Sequence, residues 1–315
     1  MSRFLRVPRE AALFLVGCAL VLLWSKIAPV SDVLVPIFPG PLLQVVEHSL
    51  PTLIVALGMS LVIGLGGIDL SVGATMALCA TAAASAIGTG VSVVLALPLA
   101  LLLGAGLGAL NGIAVKALGL EPLVATLVMM VAGRGAAQLV SHGQILEVRD
   151  PAWLALATES VLSVPLPCLL VVLLVGFLCL ALGATRIGVA LACLGDNPRA
   201  ARLLGIPVAG AVVATYAFCG CLAAGAGLLE SAWNRAADAD KCGLLIELDA
   251  ILAVVVGGTP LRGGRVRVVG TVFGVLLVEI LATTMAAGNV SRELALCAKA
   301  LLVLLVAALS RGEAT

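Results

Sequence analysis

Between Leu70 and Val115 the chain contains no Asp, Glu, Lys or Arg. A single membrane-crossing helix needs about 20 apolar residues, so this run is long enough for two. Gly88-Thr89-Gly90 offers the turn between them. No soluble domain has an interior that could hide so long an uncharged stretch. The whole chain agrees, with 62% hydrophobic and 11% charged residues over 315 positions and a mean hydropathy of +1.23. The expected class is an all-α, polytopic membrane protein forming one transmembrane domain over 1–315.

Apolar runs bounded by Gly, Pro and charge place about ten passes, near 11–30, 45–65, 70–87, 91–117, 122–140, 165–184, 209–229, 248–258, 269–287 and 293–310. The eighth is short and reads as a half-helix or a re-entrant segment. The N-terminus carries a lipobox-like "LVGC" ending at Cys18, but the apolar run continues to Trp24, so an uncleaved first helix is expected.

This placement puts Arg3, Arg6, Arg9, Lys116, Arg186, Arg199, Arg202, Arg262, Arg265, Arg267 and Arg311 on one side, with only Lys26, Arg149, Arg235, Lys241 and Arg292 on the other. The positive-inside rule then sets both termini in the cytoplasm, with residues 1–10 as a cytoplasmic tail and 185–208 as a cytoplasmic segment.

The charge balance excludes some functions. A net charge of +1 and the lack of a long soluble region speak against nucleic acid as a partner. Nine cysteines occur without a CxxC or a histidine at ligand spacing, so they read as small apolar residues, and no metal or cofactor is expected. His48 and His142 fall near the predicted outer surface without a catalytic constellation, so no catalytic residue is assigned. No GxxxxGK[ST] occurs, so any ATP must be split by another subunit.

One carboxylate interrupts the apolar sequence in "LVIGLGGIDLSVGATMALCA" (61–80). Gly66-Gly67 breaks a helix, and Asp69 is placed to cap the next by accepting from the backbone N–H of Ser71 or Val72. The positive end of that helix eases the charge. Within a membrane such a break survives only where protein or a polar cavity surrounds it, so Asp69 marks the interior. Two roles stand open: a cap that holds a bend, or a contact to a substrate hydroxyl. A second glycine-rich stretch, "GGTPLRGGR" (257–265), looks like "GGIDLSVGA" (66–74); repeated halves and chance resemblance both remain readings.

Arg134, Glu230, Glu247, Asp249, Glu279 and Lys299 are further ionisable residues within or beside the passes. Such residues usually pair and face a bundle interior. They serve a pathway or hold the bundle together, and Glu279 has no obvious local partner. Gly104, Gly106, Gly108 and Gly112 in "LLLGAGLGALNG" suit close helix packing, with Asn111 as a polar pathway candidate. In "GATRIGVALACLGDNPRAARLLGIP" (183–207), Asn197 suits a helix cap and Pro198 the first helical position. The short helix that follows carries Arg199 and Arg202 on one side and suits docking to a partner, or it is a solvated loop.

Several stretches together resemble a known family: "GGIDLSVGA", "PLVATLVMMVAGRGAAQLVSHGQ", "GDNPRAARLLGI" and "ELDAILAVVVGGTPLRGG" with its following "GTVFGVLL". They resemble the membrane permease subunits of bacterial ABC sugar importers of the ribose, xylose and galactofuranose type, over about Leu50 to Val306. The segments 130–145 and 237–258 look most like galactofuranose-type members. The resemblance implies a multi-pass protein of the bacterial inner membrane that works as a dimer with a second permease copy. It also implies a fused two-domain ABC ATPase subunit and a periplasmic sugar-binding protein as partners.

It carries Asp69 and Ser71 over as translocation-pathway residues, beside which Asn111, Arg134, Glu230 and Asp249 are pathway candidates. It likewise makes Gly195, Asp196, Asn197, Arg199 and Arg202 the candidates for coupling to the ATPase. Pro260 and Val266 depart from the family pattern, which commonly has Ser and Gly there. A carrier driven by protons or sodium, an ABC permease for a nucleoside or autoinducer-type solute, and a non-transporting scaffold are the competing readings.

Overall fold

The structure, a computed structural model, describes residues 40–161, 164–287, 290–291, 294 and 297–301. The expected pass at 11–30 and the tail at 1–10 lie outside these residues, and the pass at 293–310 lies only partly within them. Eleven α-helices are described in chain order. They are α1 (Gly40–Gly64), α2 (Val72–Gly88), α3 (Val93–Lys116), α4 (Pro122–Ser141), α5 (Pro151–Thr158), α6 (Leu166–Ala184), α7 (Arg186–Asp196), α8 (Pro198–Leu203), α9 (Val208–Asn234), α10 (Ile246–Val256) and α11 (Val268–Ala287). Four two-residue strands form two small ladders.

Six of these helices, α1, α3, α4, α6, α9 and α11, are long and apolar enough to cross a membrane. The expected pass at 70–87 is a shorter apolar helix of 17 residues, because the turn around Asp69 occupies the residues before Val72. The expected eighth pass is shorter still: α10 has 11 residues, about 16 Å of helix against a hydrocarbon core of about 30 Å. It stops at Gly257-Gly258, where Gly258 takes a φ of +85°. The turn expected at Gly88-Thr89-Gly90 is present, with Thr89 at the C-cap.

The core is built around α1. Of the residues in its span, 72% are buried, against 17% in α6, whose apolar side chains face outward as lipid-facing residues do. Close approach comes from glycine. Along α3, added Cβ atoms at Gly104, Gly108 and Gly112 would run into the backbone of Gly220, Tyr216 and Val213 on α9. The glycine-spaced stretch of α3 is thus a packing seam, as its small residues imply. Between membrane helices, such contact supplies dispersion energy that burial alone does not, since lipid tails are as apolar as the helix faces.

The helices have two distinct ends. At one, Leu65, Lys116, Leu194 and Val208 gather around a shared cavity. At the other, a two-residue ladder pairs Leu146 with Ala237 and Glu147 with Ala236, joining the segments that follow α4 and α9. The Trp153 indole N–H donates to the Leu228 carbonyl at 3.0 Å and pins α5 to α9 at this second end. Lys116 lines the cavity at the first end and the Arg262 carbonyl lies against Gly66 there, so this is the end that the positive-inside rule expects in the cytoplasm.

Candidate functional site

α1 ends where Gly66, with φ of +79°, turns the chain, and the N–H groups of Gly66 and Gly67 close onto the carbonyls of Ile63 and Val62. The turn delivers Asp69 into the interior. Its Oδ1 accepts from the Ser71 N–H at 2.9 Å and from the Ser71 hydroxyl at 2.6 Å. Asn111, on α3, donates from Nδ2 to Ser71 Oγ at 2.8 Å. Asp69, Ser71 and Asn111 are each no more than 2% exposed. Asp69 therefore closes a short turn ahead of α2 rather than capping it, and Ser71 occupies the N-cap position. The acceptor expected for the Ser71 N–H is there, one step earlier than the helix. Three of the expected pathway residues form one buried polar chain.

Arg134 and Glu230 belong to a second group, toward the end that carries the Leu146–Ala237 ladder. Arg134 Nη1 donates to the carbonyls of Ala239 and Cys242 at 2.9 and 2.8 Å. Glu230 accepts from the Gly243 N–H at 3.2 Å, and Gln138 donates to Asp240 at 2.6 Å. Two helices thus grip the segment between α9 and α10, supplying partners to backbone groups that no helix or sheet satisfies. That segment leans on α2: a Cβ on Gly73 would overlap the Gly243 carbonyl and come within 2.7 Å of Glu247 Oε2. Burial pushes the Cys242 thiol well above its ordinary range, with Glu230 adding to the rise, so it stays a protonated, inert side chain. Gln138 and Gly243 were not singled out in the sequence; polar residues beside Arg134 were the available signal.

Asp249 stands apart from both groups. Its carboxylate accepts from Lys299 Nζ at 2.8 Å to each oxygen. Glu279, whose partner could not be named from sequence, hydrogen-bonds with Thr283 and lies within electrostatic reach of Lys299, His48 and Asp249. These residues link α1, α10, α11 and the helical residues 297–301.

The helix start expected at Asn197-Pro198 is present. Asn197 Oδ1 accepts from the N–H groups of Arg199 and Ala200 at 3.0 and 3.1 Å, Pro198 is the first residue of α8, and Arg202 lies in its last turn. Ala201 turns inward while Arg199 and Arg202 are exposed, and Leu203, 90% exposed, projects with them. Asp196 closes α7.

Gly195 is wedged between distant parts of the chain, for a Cβ there would overlap both the Gly64 carbonyl and the Gly264 nitrogen. Gly264 itself is bonded through its N–H to Gly64 O at 2.9 Å, and a Cβ on it would strike the Asp196 carboxylate. The two similar glycine-rich stretches also meet, for a Cβ on Gly263 would lie 2.7 Å from the Gly66 nitrogen, and Gly195 at the end of α7 packs beside them. Val266, where the family pattern has glycine, lays its side chain against Gly64. Among the described residues no group of His, Cys, Asp and Glu could hold a metal ion.

This arrangement has relatives. Residues 42–308 match the family described as "Branched-chain amino acid transport system / permease component". The chain belongs to this permease family. It is 38% identical over 267 residues to the galactofuranose transporter permease protein YtfT of Escherichia coli, covering 85% of this chain and 78% of that one. It is 37% identical over 274 residues to the ribose import permease protein RbsC of E. coli (84% and 83%). With the fructose import permease protein FruF of Bifidobacterium longum it shares 35% over 263 residues (81% and 72%). No solved structure gives a significant match. The chain is thus a multi-pass permease of the inner membrane.

Proposed function

We propose that the permease is the membrane-spanning subunit of an ATP-driven importer for a monosaccharide, galactofuranose-like or ribose-like. The solute arrives from a periplasmic binding protein, a fused two-domain ABC ATPase supplies the energy, and a second permease copy completes the pathway. One observation carries this reading. Gly195, at the root of the exposed basic helix α8, touches the Gly64 carbonyl, five residues before Asp69. A displacement of α8 by a cytoplasmic partner has a direct steric route to the buried polar chain.

The residues divide the work accordingly. Arg199, Arg202 and the projecting Leu203 offer charge and one apolar knob to the ATPase, while Gly195, Asp196 and Asn197 hold that helix rigidly to the bundle. Asp69, Ser71 and Asn111 line the turn beside the solute's route. A neutral sugar needs hydroxyl-sized hydrogen-bonding partners and weak binding, so that it leaves as readily as it enters. Arg134, Glu230 and Asp249 support that route indirectly: their donors and acceptors are taken up by the segment before α10 and by Lys299. The names of the relatives favour a sugar over a nucleoside or an autoinducer-type solute.

The test is reconstitution of permease, ATPase and binding protein in vesicles, with radiolabelled D-galactose, D-ribose and D-fructose offered through the binding protein. ATP-dependent accumulation of one of them is expected. Accumulation that persists without ATP and disappears with a protonophore would establish a secondary carrier instead.

A further inference from the structure

Tyr216 is the only tyrosine in the chain. Its hydroxyl is the one buried side-chain polar atom among the described residues with no hydrogen-bond partner. Buried polar atoms are nearly always paired, so an unpaired one asks for a partner that comes and goes, whether water or ligand. The side chain is 1% exposed and reaches from α9 to the glycine break, where a Cβ on Gly67 would lie 2.5 Å from its oxygen. Glycine at 67 leaves the space that this hydroxyl occupies.

A cavity of about 140 Å³ adjoins it. Tyr216, Gly66, Gly67 and Lys116 line it, and Leu194 and Pro198 contribute the face that belongs to α7 and α8. The volume has room for several waters, or for a small hydroxylated solute in their place. No carboxylate lines it, and Lys116 is the only charged lining residue. A hydroxyl donor, glycine backbone and aliphatic walls suit a neutral polyol, whose C–H faces pack on the walls while one hydroxyl accepts from Tyr216. The Asp69, Ser71 and Asn111 chain branches from the same turn.

We propose that this cavity is a release subsite, in which Tyr216 holds a hydroxyl of the departing sugar on the cytoplasmic side of the Gly66-Gly67 break. The proposal rests on the reading of the chain as a sugar permease. Because Leu194 and Pro198 form part of the wall, movement of the coupling segment changes the cavity's shape, and release is tied to the ATPase.

The test is saturation-transfer NMR on the full-length permease in nanodiscs, with D-ribose, D-fructose and D-galactose as probes. Tyr216→Phe removes the hydroxyl while keeping the ring, and loss of an unpaired group leaves the melting temperature unchanged or raised. Affinity for at least one sugar is expected to fall roughly tenfold in Tyr216→Phe, the scale of one hydrogen bond. Val212→Phe, which fills the cavity from α9, abolishes the same signal. Equal sugar binding by wild type and both variants overturns the proposal. So does absence of binding to the wild type while the reconstituted importer still takes up one of the three sugars, an outcome that leaves the permease reading standing. Binding that is lost in both variants supports the subsite even where none of the three sugars is imported, in which case it is the substrate reading that falls.

Discussion

Asn111 donates to the hydroxyl of Ser71 at 2.8 Å, across 40 residues of sequence and between two helices. Ser71 in turn donates its own hydroxyl hydrogen bond to Asp69 at 2.6 Å, so a carboxylate inside the bundle is held through neutral donors rather than by a cation. That arrangement leaves Asp69 charged or neutral without a stranded partner, and it separates the role of its charge from the role of its acceptor oxygen.

Asp69→Asn keeps an oxygen that can accept from Ser71, whereas Asp69→Ala removes it. Asp69→Ala is expected to cost about 1–2 kcal/mol of stability and Asp69→Asn much less. Uptake in vesicles beside melting in detergent distinguishes the roles. If Asp69→Asn transports like wild type, the residue holds the bend; if it folds normally and fails to transport, its charge serves the solute.

Gly195→Ala places a methyl group on the Gly64 carbonyl and the Gly264 nitrogen. Overpacking of this kind typically costs about 1–3 kcal/mol. The expected outcome is an importer that still hydrolyses ATP but accumulates several-fold less sugar per ATP, measured by uptake and phosphate release on the same vesicles. Unchanged stoichiometry would remove Gly195 from the coupling route.

The double charge reversal Arg199→Glu with Arg202→Glu alters only exposed side chains. Surface changes of this type usually stay within about 0.5 kcal/mol, so the permease should remain folded. Co-purification of the ATPase is expected to fail, and with it ATP-driven uptake. Unimpaired uptake would sink the docking role of α8.

Lys299→Met leaves the Asp249 carboxylate without its cation. Since the two side chains retain 18% and 29% exposure, the cost is expected at about 1–3 kcal/mol, below that of a fully buried pair. Adding Asp249→Asn should recover most of the loss. A double-mutant cycle by thermal unfolding gives the coupling directly, and additive effects would show that the pair contributes nothing.

Much of the site was legible because its signals are local. Gly66-Gly67 breaks a helix by its own chemistry, and Asn197-Pro198 starts one. Asp69 accepting from Ser71 follows from two residues' spacing. Ser71 takes the N-cap position itself, with its hydroxyl bonded to Asp69 and not to the helix. Arg134 and Glu230 stand out in sequence as ionisable residues in an apolar setting. Their partners were not readable, since those are backbone groups of a segment that has no regular structure of its own. Tyr216 went unnoticed although a lone tyrosine in an aliphatic helix was itself a signal.

The sequence by itself determined the solvent of this protein. Long uncharged runs can be stable only in lipid, and there only as helices, because every backbone group must find its partner within the segment. Charge asymmetry between loops then gives the orientation expected by the positive-inside rule. The tertiary structure alone decided which residues act together. The meeting of Gly64, Gly195 and Gly264, the reach of Asn111 to Ser71 and the gathering of Lys299, Asp249 and Glu279 all join segments far apart in the chain. Such contacts depend on how closely helix surfaces can approach, and in this bundle the glycines of several helices at once set that distance.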